Sequence, residues 1–516
     1  MTAKNSLTLA FLLLFTCLIL SGCSQSNAPG QEEEYDLVIA NGRIMDPKMR
    51  TETTADIGIC NGKISAIATP GQSLKAEKTI DVKGLVVAPG FIDMHAHDGI
   101  IDMTMQSHVL DGVTTMISGN CGGHPYPLGD HLSKLEQEGS LINYATLAGH
   151  NTFRRLAGIK DRNAAATPEQ IKKMLEFVKE EMTAGALGVS YGIAYAPGAT
   201  YEEILALATE VAKLGGMLSS HARSGAITQE GIDSFREMIQ LAKDSGLPLQ
   251  FSHIGSTLAK SDNMDKFLEE MAQARSEGVR ISADIYSYLA TGGAIGSAIA
   301  DPGFFEKHGH KPQDIEVVGT VKIDGKVFME PGSRFKDEEQ FYYVRDKILS
   351  GEIPEPGMIA HIMKPDKVKM GMANPFVMCG SDGVVGRDRV SKKYRGHPRV
   401  AGNFSRFLGY WTREEGTVDL MKALFKTSTQ AALFLGLSNK GRIAVGADAD
   451  IVVFNPETIK DRSTFGDAFM TPPEGIDYVI VNGQLTVSEG KLVPGVKAGK
   501  VIHRTWTVPG QAEPAT

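Results

Sequence analysis

Eight short apolar runs divide the middle of the chain: FIDMHAH, VTTMISGN, INYATLAGH, ALGVSYG, GMLSSHA, PLQFSHIG, VRISADIY and FVMCGSDG. Helical patterns lie between several of them. Thr167-Pro168-Glu169 opens an amphipathic stretch through Met182, with a capping hydroxyl, a proline at the first helical position and an early acid. Two further helices are predicted over Tyr201–Leu214 and Gly231–Lys243. Eight strands alternating with helices predict an α/β fold, a (β/α)8 barrel of the TIM type.

The two ends of the chain keep a different rhythm. YDLVIANGRIMD, DIGICNGKISAIA and TIDVKGLVVAPG precede the barrel, and GRIAVGADADIVVFN and DYVIVNGQLTVSEGKLV follow it. Gly and Asn-Gly turns separate these segments, as in hairpins. The two sets are expected to pair into one small β-sandwich domain, residues 35–88 and 435–505, with the barrel (89–434) inserted between them. The barrel spacing breaks once. From Leu289 to about Ala373 there is more chain than one barrel helix needs, so an insertion is expected before the last strand, with VKIDGKVFM as a hairpin. A segment of this size beside a barrel mouth is a lid, a surface elaboration or an oligomer contact.

At 516 residues, the chain is long enough for one large and one smaller domain. Apolar content of 42% and charge of 22% are those of a soluble globular protein. A net charge of −8 without a basic, aromatic-rich stripe argues against nucleic acid as a partner. The first residues stand apart. Lys4 precedes an apolar run, Leu7 to Leu20, shorter than a membrane span and typical of a signal peptide. Leu20-Ser21-Gly22-Cys23 resembles a bacterial lipoprotein cleavage box, which makes Cys23 the lipidated first residue after removal of residues 1–22. Residues 23–34 read as a flexible tether. The expected location is the bacterial cell envelope, held by a lipid anchor. Of the five cysteines, Cys17 and Cys23 belong to this export segment; Cys60, Cys121 and Cys379 are too few for a disulfide framework.

Six side chains of the metal-binding type recur near the ends of the apolar runs: His95, His97, Cys121, His221, His253 and Asp382. His95 and His97 are two apart, so both face the same side of a strand. In a barrel the C-terminal rim of the strands carries the chemistry. Imidazole, thiolate and carboxylate together suit zinc, and metal-assisted hydrolysis is the reaction class they point to.

PGFIDMHAHD, GVTTMISGNCG, AGALGVSYGIAY, SSHAR, FSHIG, ADIYSY, CGSDG and HPR resemble, in that order, the amidohydrolase superfamily and, more narrowly, its N-acyl-D-amino-acid deacylases (D-aminoacylases). The likeness spans Tyr35 to about Val501, and the Asn-Cys-Gly of the second strand is its most discriminating part. It implies a tight zinc site at Cys121, His221 and His253, and a weaker one at His95, His97 and Asp382 with Cys121 bridging. It implies further that zinc generates hydroxide at neutral pH, that Asp382 is the catalytic base and acid, and that Arg399 binds the substrate α-carboxylate with help from Tyr286. His150, in LAGHNTFRR, is expected to face the pocket. The resemblance thus implies a small-molecule substrate with a free carboxylate, and no particular oligomeric state.

The chain departs from the family at Ser224-Gly225, at Gly255-Ser256 and at Leu289-Ala290-Thr291-Gly292-Gly293, so side-chain preference does not carry over. Two alternatives stand beside the deacylase. One is a cyclic-amide hydrolase of the hydantoinase or dihydroorotase kind, whose bridging lysine has no counterpart in ALGVSYG. The other is a lipoprotein that binds metal or solute without turnover.

Overall fold

The computed structural model describes residues 34–503 except 70, 71, 73, 225–228, 261 and 262. The expected export segment, with Cys23, lies outside the described residues. All eight apolar runs contain barrel strands: β1 (Phe91–Asp93), β2 (Val113–Ser118), β3 (Asn143–Thr146, resuming at Ala148–Gly149), β4 (Gly188–Gly192), β5 (Met217–His221), β6 (Leu249–Phe251), β7 (Ile281–Ile285) and β8 (Val377–Cys379). Neighbours pair in parallel from β1 through β8. A parallel bridge between Ala96 and Gly383 brings the exits of β1 and β8 together at the rim.

The helices begin where their capping residues stand. Thr167 and Gln170 form a capping box at the head of Pro168–Ala184, and Thr200 caps Tyr201–Leu214 by accepting from Glu203 N. Met174, Val178 and Met182, four residues apart, bury one stripe of the first of these helices in the barrel core. The third helix, Gln229–Ser245, extends two residues beyond the expected span at each end.

Strands from both chain ends share one nine-stranded sheet, drawn from residues 34–89 and 451–492. Antiparallel pairing of Val86–Pro89 with Ile451–Phe454 joins the two halves. Two of its hairpins turn on Asn61-Gly62 and Asn482-Gly483, where φ is positive at both residues, as a two-residue turn of this hand requires. Leu37, Ile39, Ile57, Ile451, Val453 and Ile480 bury a common apolar cluster. The chain then leaves this sheet: Val501 lies beside Tyr144, whose N–H donates to Lys500 O at 2.9 Å and whose carbonyl accepts from Ile502 N at 2.7 Å. This segment satisfies backbone groups of β3 that β4 does not reach.

The insertion folds on a core of its own, including Phe304, Phe305, Phe335 and Phe341. Thr291–Gly293, Ile315–Val317 and Met358–Ala360 form a small antiparallel sheet, and VKIDGKVFM is a hairpin, Val321–Ile323 with Lys326–Met329. It ends earlier than expected. The helix Pro365–Ala373 packs Val368 and Met372 into the barrel core and is the barrel helix that leads to β8.

One buried carboxylate ties barrel to sheet. Asp450 accepts from Asn143 Nδ2 of β3 at 2.9 Å, from Asn482 N at 2.7 Å and from Lys440 Nζ at 2.5 Å. Removing it leaves Lys440 buried with a weaker partner set. Asp450→Ala is expected to cost about 3–5 kcal/mol in denaturant unfolding, whereas Lys440→Met with Asp450→Leu should recover most of that loss.

Candidate metal centre

The ligand set assembles at the C-terminal rim because each residue ends a strand or opens the loop after it. His221 closes β5; His95 and His97 follow β1; Cys121, His253 and Asp382 follow β2, β6 and β8. Three of these residues bend the chain sharply: Cys121 (φ 56°), His253 (φ 35°) and Asp382 (φ 50°) hold the left-handed conformation. For side chains other than glycine this costs on the order of 1 kcal/mol each, and such strain collects at functional sites. Gly122, after Cys121, is required by crowding as well as by its φ of 85°: a Cβ there would lie 2.7 Å from Gly192 N.

Donor atoms of His95, His97 and Cys121, of Cys121, His221 and His253, and of His95, His253 and Asp382 lie within 4.8 Å of one another in each group. Cys121 Sγ is 3.4 Å from both His95 Nε2 and His253 Nε2. Tetrahedral zinc, with bonds of about 2.3 Å to sulfur and 2.0–2.1 Å to nitrogen, separates its donors by about 3.5 Å. The donor chemistry and spacing therefore fit zinc.

Outer partners aim the rings. Asp284 of β7 sits 3.1 Å from His95 Nδ1 and accepts from His253 N at 2.8 Å and from Gln250 Nε2. With Nδ1 so engaged, His95 turns Nε2 toward the centre. Ser256 Oγ does the same for His253, 3.0 Å from its Nδ1. Asp93, at the end of β1, accepts from His95 N at 3.1 Å and from Ser381 N at 2.9 Å, and lies 2.9 Å from His108 Nε2, locking β1 to β8. The pattern of apolar runs does not by itself mark these roles for Asp93, Asp284 and Ser381. A signal existed in Asp284, an acid inside an apolar strand, which must find a partner.

Electrostatics favours a dense pairing of charges. Burial disfavours a thiolate at Cys121, but His95, His253 and His221 outweigh it and hold the thiol well below its usual range. Burial likewise opposes the Asp382 carboxylate, yet Arg399 and His95 hold it far down. Burial also opposes charge on His97, but its contact with Asp382, 3.0 Å from Nε2, and with Cys121 brings it up to about 9.

A cavity of about 670 Å³ opens over this cluster, lined by His97, Cys121, His221, His253, Asp382 and Arg399 on the barrel side and by the insertion on the other. The insertion is thus a wall of the site. Arg399 engages Asp382 twice, through Nη2 to Oδ2 at 2.7 Å and through Nε to the backbone carbonyl at 2.8 Å. Its Nη1 has no hydrogen-bond partner. Tyr286 adjoins Arg399. It is fully buried, its ring 4.5 Å beneath the Arg399 guanidinium, and it supports the arginine without lining the cavity. His150 does not face the cavity at all. Its ring is buried, with Nε2 2.7 Å from Glu203 Oε1 and Nδ1 3.2 Å from Asn151 Oδ1. Arg154 of the same phrase joins Glu203 at 2.6 Å, so this group anchors the short helix after β3, His150–Leu156, to the helix Tyr201–Leu214.

A barrel with such a rim defines a metal-dependent hydrolase. The amidohydrolase-family profiles match residues 78–313 and 354–486. D-aminoacylase of Alcaligenes xylosoxydans xylosoxydans is 31% identical, over 92% of this chain and 98% of its own, and N-acyl-D-glutamate deacylase of the same organism is 30% identical, over 93% and 99%. Among solved structures, N-acyl-D-glutamate deacylase from Bordetella bronchiseptica, complexed with zinc and a phosphonate inhibitor, superposes with a TM-score of 0.78 at 27% identity, covering 91% of this chain and all of that one. A D-hydantoinase shares the fold at a TM-score of 0.57 and 20% identity. The chain belongs to the amidohydrolase family, in its N-acyl-D-amino-acid deacylase (D-aminoacylase) branch.

Metal uptake has a proton cost with a definite sign. His97 carries its proton in the metal-free protein up to about pH 9 and must lose it to ligate. Apparent affinity for the second zinc, the ion His97 would hold, read by competition with a chromophoric chelator at two equivalents of metal, should rise with pH through that value. The slope below it should be roughly tenfold per pH unit for each proton released.

Proposed function

We propose that the protein hydrolyses the amide bond of N-acyl-D-amino acids, or of dipeptides ending in a D-residue, in a zinc-dependent reaction. Arg399 carries this reading. It lines the cavity beside the metal centre and clamps the proposed proton carrier with two of its nitrogens, while the third, Nη1, is buried without a partner. A guanidinium with a free N–H in a cavity suits a carboxylate. In an N-acylated α-amino acid the amide nitrogen is one carbon away from that carboxylate, which places the scissile bond next to Asp382.

Cys121, His221 and His253 would hold one ion, and His95, His97 and Asp382, sharing Cys121, a second. When bound there, zinc supplies acidity to a water molecule and positive charge to the developing oxyanion. Asp382 takes the proton that the attacking water loses and hands it to the leaving nitrogen, which departs as a neutral amine. Arg399 holds the carboxyl ionised and ready to accept, and Tyr286 braces the guanidinium from below. The strand segment Gly188–Gly192 offers no lysine to bridge two metals, so the cyclic-amide reading lacks its marker.

The two relatives named above are about equally similar to this chain, and an N-acyl-D-aspartate deacylase is less so at 26% identity, so similarity alone does not choose the amino acid. Envelope attachment through Cys23 belongs to the same proposal; no helix among the described residues is long and apolar enough to cross a membrane. Cys23→Ser should move the protein from the membrane fraction to the soluble fraction of its host.

Zinc-loaded protein should turn over N-acetyl-D-amino acids in preference to their L-enantiomers; no turnover, or an L preference, would overturn the reading. Asp382→Asn is expected to lower kcat by about 10²–10⁴-fold while elemental analysis still finds the ion held by Cys121, His221 and His253. Arg399→Met should raise KM by about tenfold or more and shift the acid limb of kcat/KM to higher pH, since Asp382 loses the cation that depresses it.

A further inference from the structure

Among the described residues the cavity walls carry five Lys and Arg cations, and three of them are ion-paired. Arg223 pairs with Glu237 at 2.7 Å, Lys307 with Glu230 at 3.2 Å and Arg399 with Asp382 at 2.7 Å, while Arg395 lies in the field of Asp388 and Glu355. Lys260 has no carboxylate within ion-pair distance among the described residues; its Nζ lies 2.9 Å from His308 Nδ1. The acids of the wall are equally committed. Asp301 is held by Arg162 and Arg345, and Glu355 accepts from the N–H groups of Ile295, Gly296 and Gly357.

Lys260 Nζ and His308 Nδ1 lie 2.9 Å apart; when Lys260 is protonated its ammonium donates there, which leaves the proton of neutral His308 on Nε2. His310 stacks on His308 with centroids 5.7 Å apart, and Phe304 flanks both at 5.4 and 5.2 Å. Burial draws Lys260 down to about 7, and burial with the Lys260 charge draws His308 and His310 to about 2 and 3. The patch is therefore a set of N–H donors in need of negative charge. A carboxylate would restore the proton on Lys260 and accept charge-assisted hydrogen bonds from it.

We propose that Lys260, His308 and His310 form a second anion subsite that selects substrates with a carboxylate additional to the one on Arg399. The inference rests on the deacylase reading, since Arg399 is taken by the α-carboxylate. Lys260 lies two residues past the helix Ile254–Leu258 that follows the ligand His253, a helix that rises on the order of 7 Å. The second carboxylate thus belongs to the amino-acid side chain or to the far end of the acyl group.

The test compares kcat/KM for N-acetyl-D-glutamate, with its charge in the side chain, N-succinyl-D-leucine, with its charge in the acyl group, and N-acetyl-D-leucine, which lacks a second charge. One diacid should exceed N-acetyl-D-leucine by about tenfold, and Lys260→Met and His308→Ala should each erode that ratio, Lys260→Met by about tenfold. Which diacid wins identifies the source of the charge. Equal rates for all three, or an advantage that survives both variants, would overturn the subsite. Calorimetric binding to zinc-loaded protein gives an answer without turnover: D-glutamate should bind tighter than D-glutamine, or succinate tighter than succinamate, and Lys260→Met should abolish the difference. Diacid binding without turnover of any substrate would sink the deacylase reading and keep the subsite. Turnover without any preference for the second charge would do the reverse. Lys260→Met exchanges a buried amine for an apolar chain of similar length, and a melting curve verifies that it folds.

Discussion

A half-buried thiolate and a buried carboxylate lie among four imidazoles at the barrel rim, and neither could stay ionised there without opposite charge close by. That constraint organises the site. Cys121 must be crossed by His95 and His253, and Asp382 must be clamped by Arg399, or the cluster would discharge by taking up protons. In the metal-free protein protons on the histidines do part of this balancing. Divalent ions do it better, because they satisfy both anions at once without demanding hydrogen-bond geometry from each ring. In the proposed reaction the pairing of Arg399 with Asp382 would also couple substrate recognition to proton transfer, since one guanidinium addresses both.

Backbone geometry is what makes such convergence possible. Strands deliver residues to the rim in parallel, but their side chains would not all meet at one point without sharp turns after β2, β6 and β8. Left-handed residues at Cys121, His253 and Asp382 provide those turns at a local cost that packing absorbs. Asp93 and Ser381 then fasten the first strand to the last, and Asp284 fastens the seventh to the first and sixth. These links are polar, buried and satisfied, so they specify one arrangement of the rim.

Much of this was legible in the chain, for identifiable reasons. Parallel strands buried on both faces leave continuous apolar runs, and all eight stood out as such. Ligands at the ends of those runs stood out too, because histidine, cysteine and aspartate are conspicuous beside Val, Ile and Leu. Direction was not legible. His150 occupies a recognisable phrase, but residue type does not say which way a ring points, and Glu203 draws it away from the cavity. Nor was Tyr286 readable as a support beneath Arg399, since stacking depends on two segments more than a hundred residues apart. The end of the insertion was misjudged because the helix Pro365–Ala373 carries its own start signal but no sequence mark of which core it joins. The return of Val501 to β3 depends on a gap in strand pairing that only the assembled barrel reveals.

Having a hydrophobic nucleus of its own, built on Phe304, Phe305, Phe335 and Phe341, the segment before the last barrel helix does not draw on the barrel for its internal order. It nonetheless contributes half of the chamber, while every metal-binding donor comes from the barrel. One wall of the chamber and the metal-binding donors are thereby written in separate stretches of the gene, with Lys260 and Arg399 completing the chamber from outside the insertion. A lineage can exchange or redraw the one by recombination while the other is inherited intact, which gives related deacylases a route to new diets without relearning their chemistry.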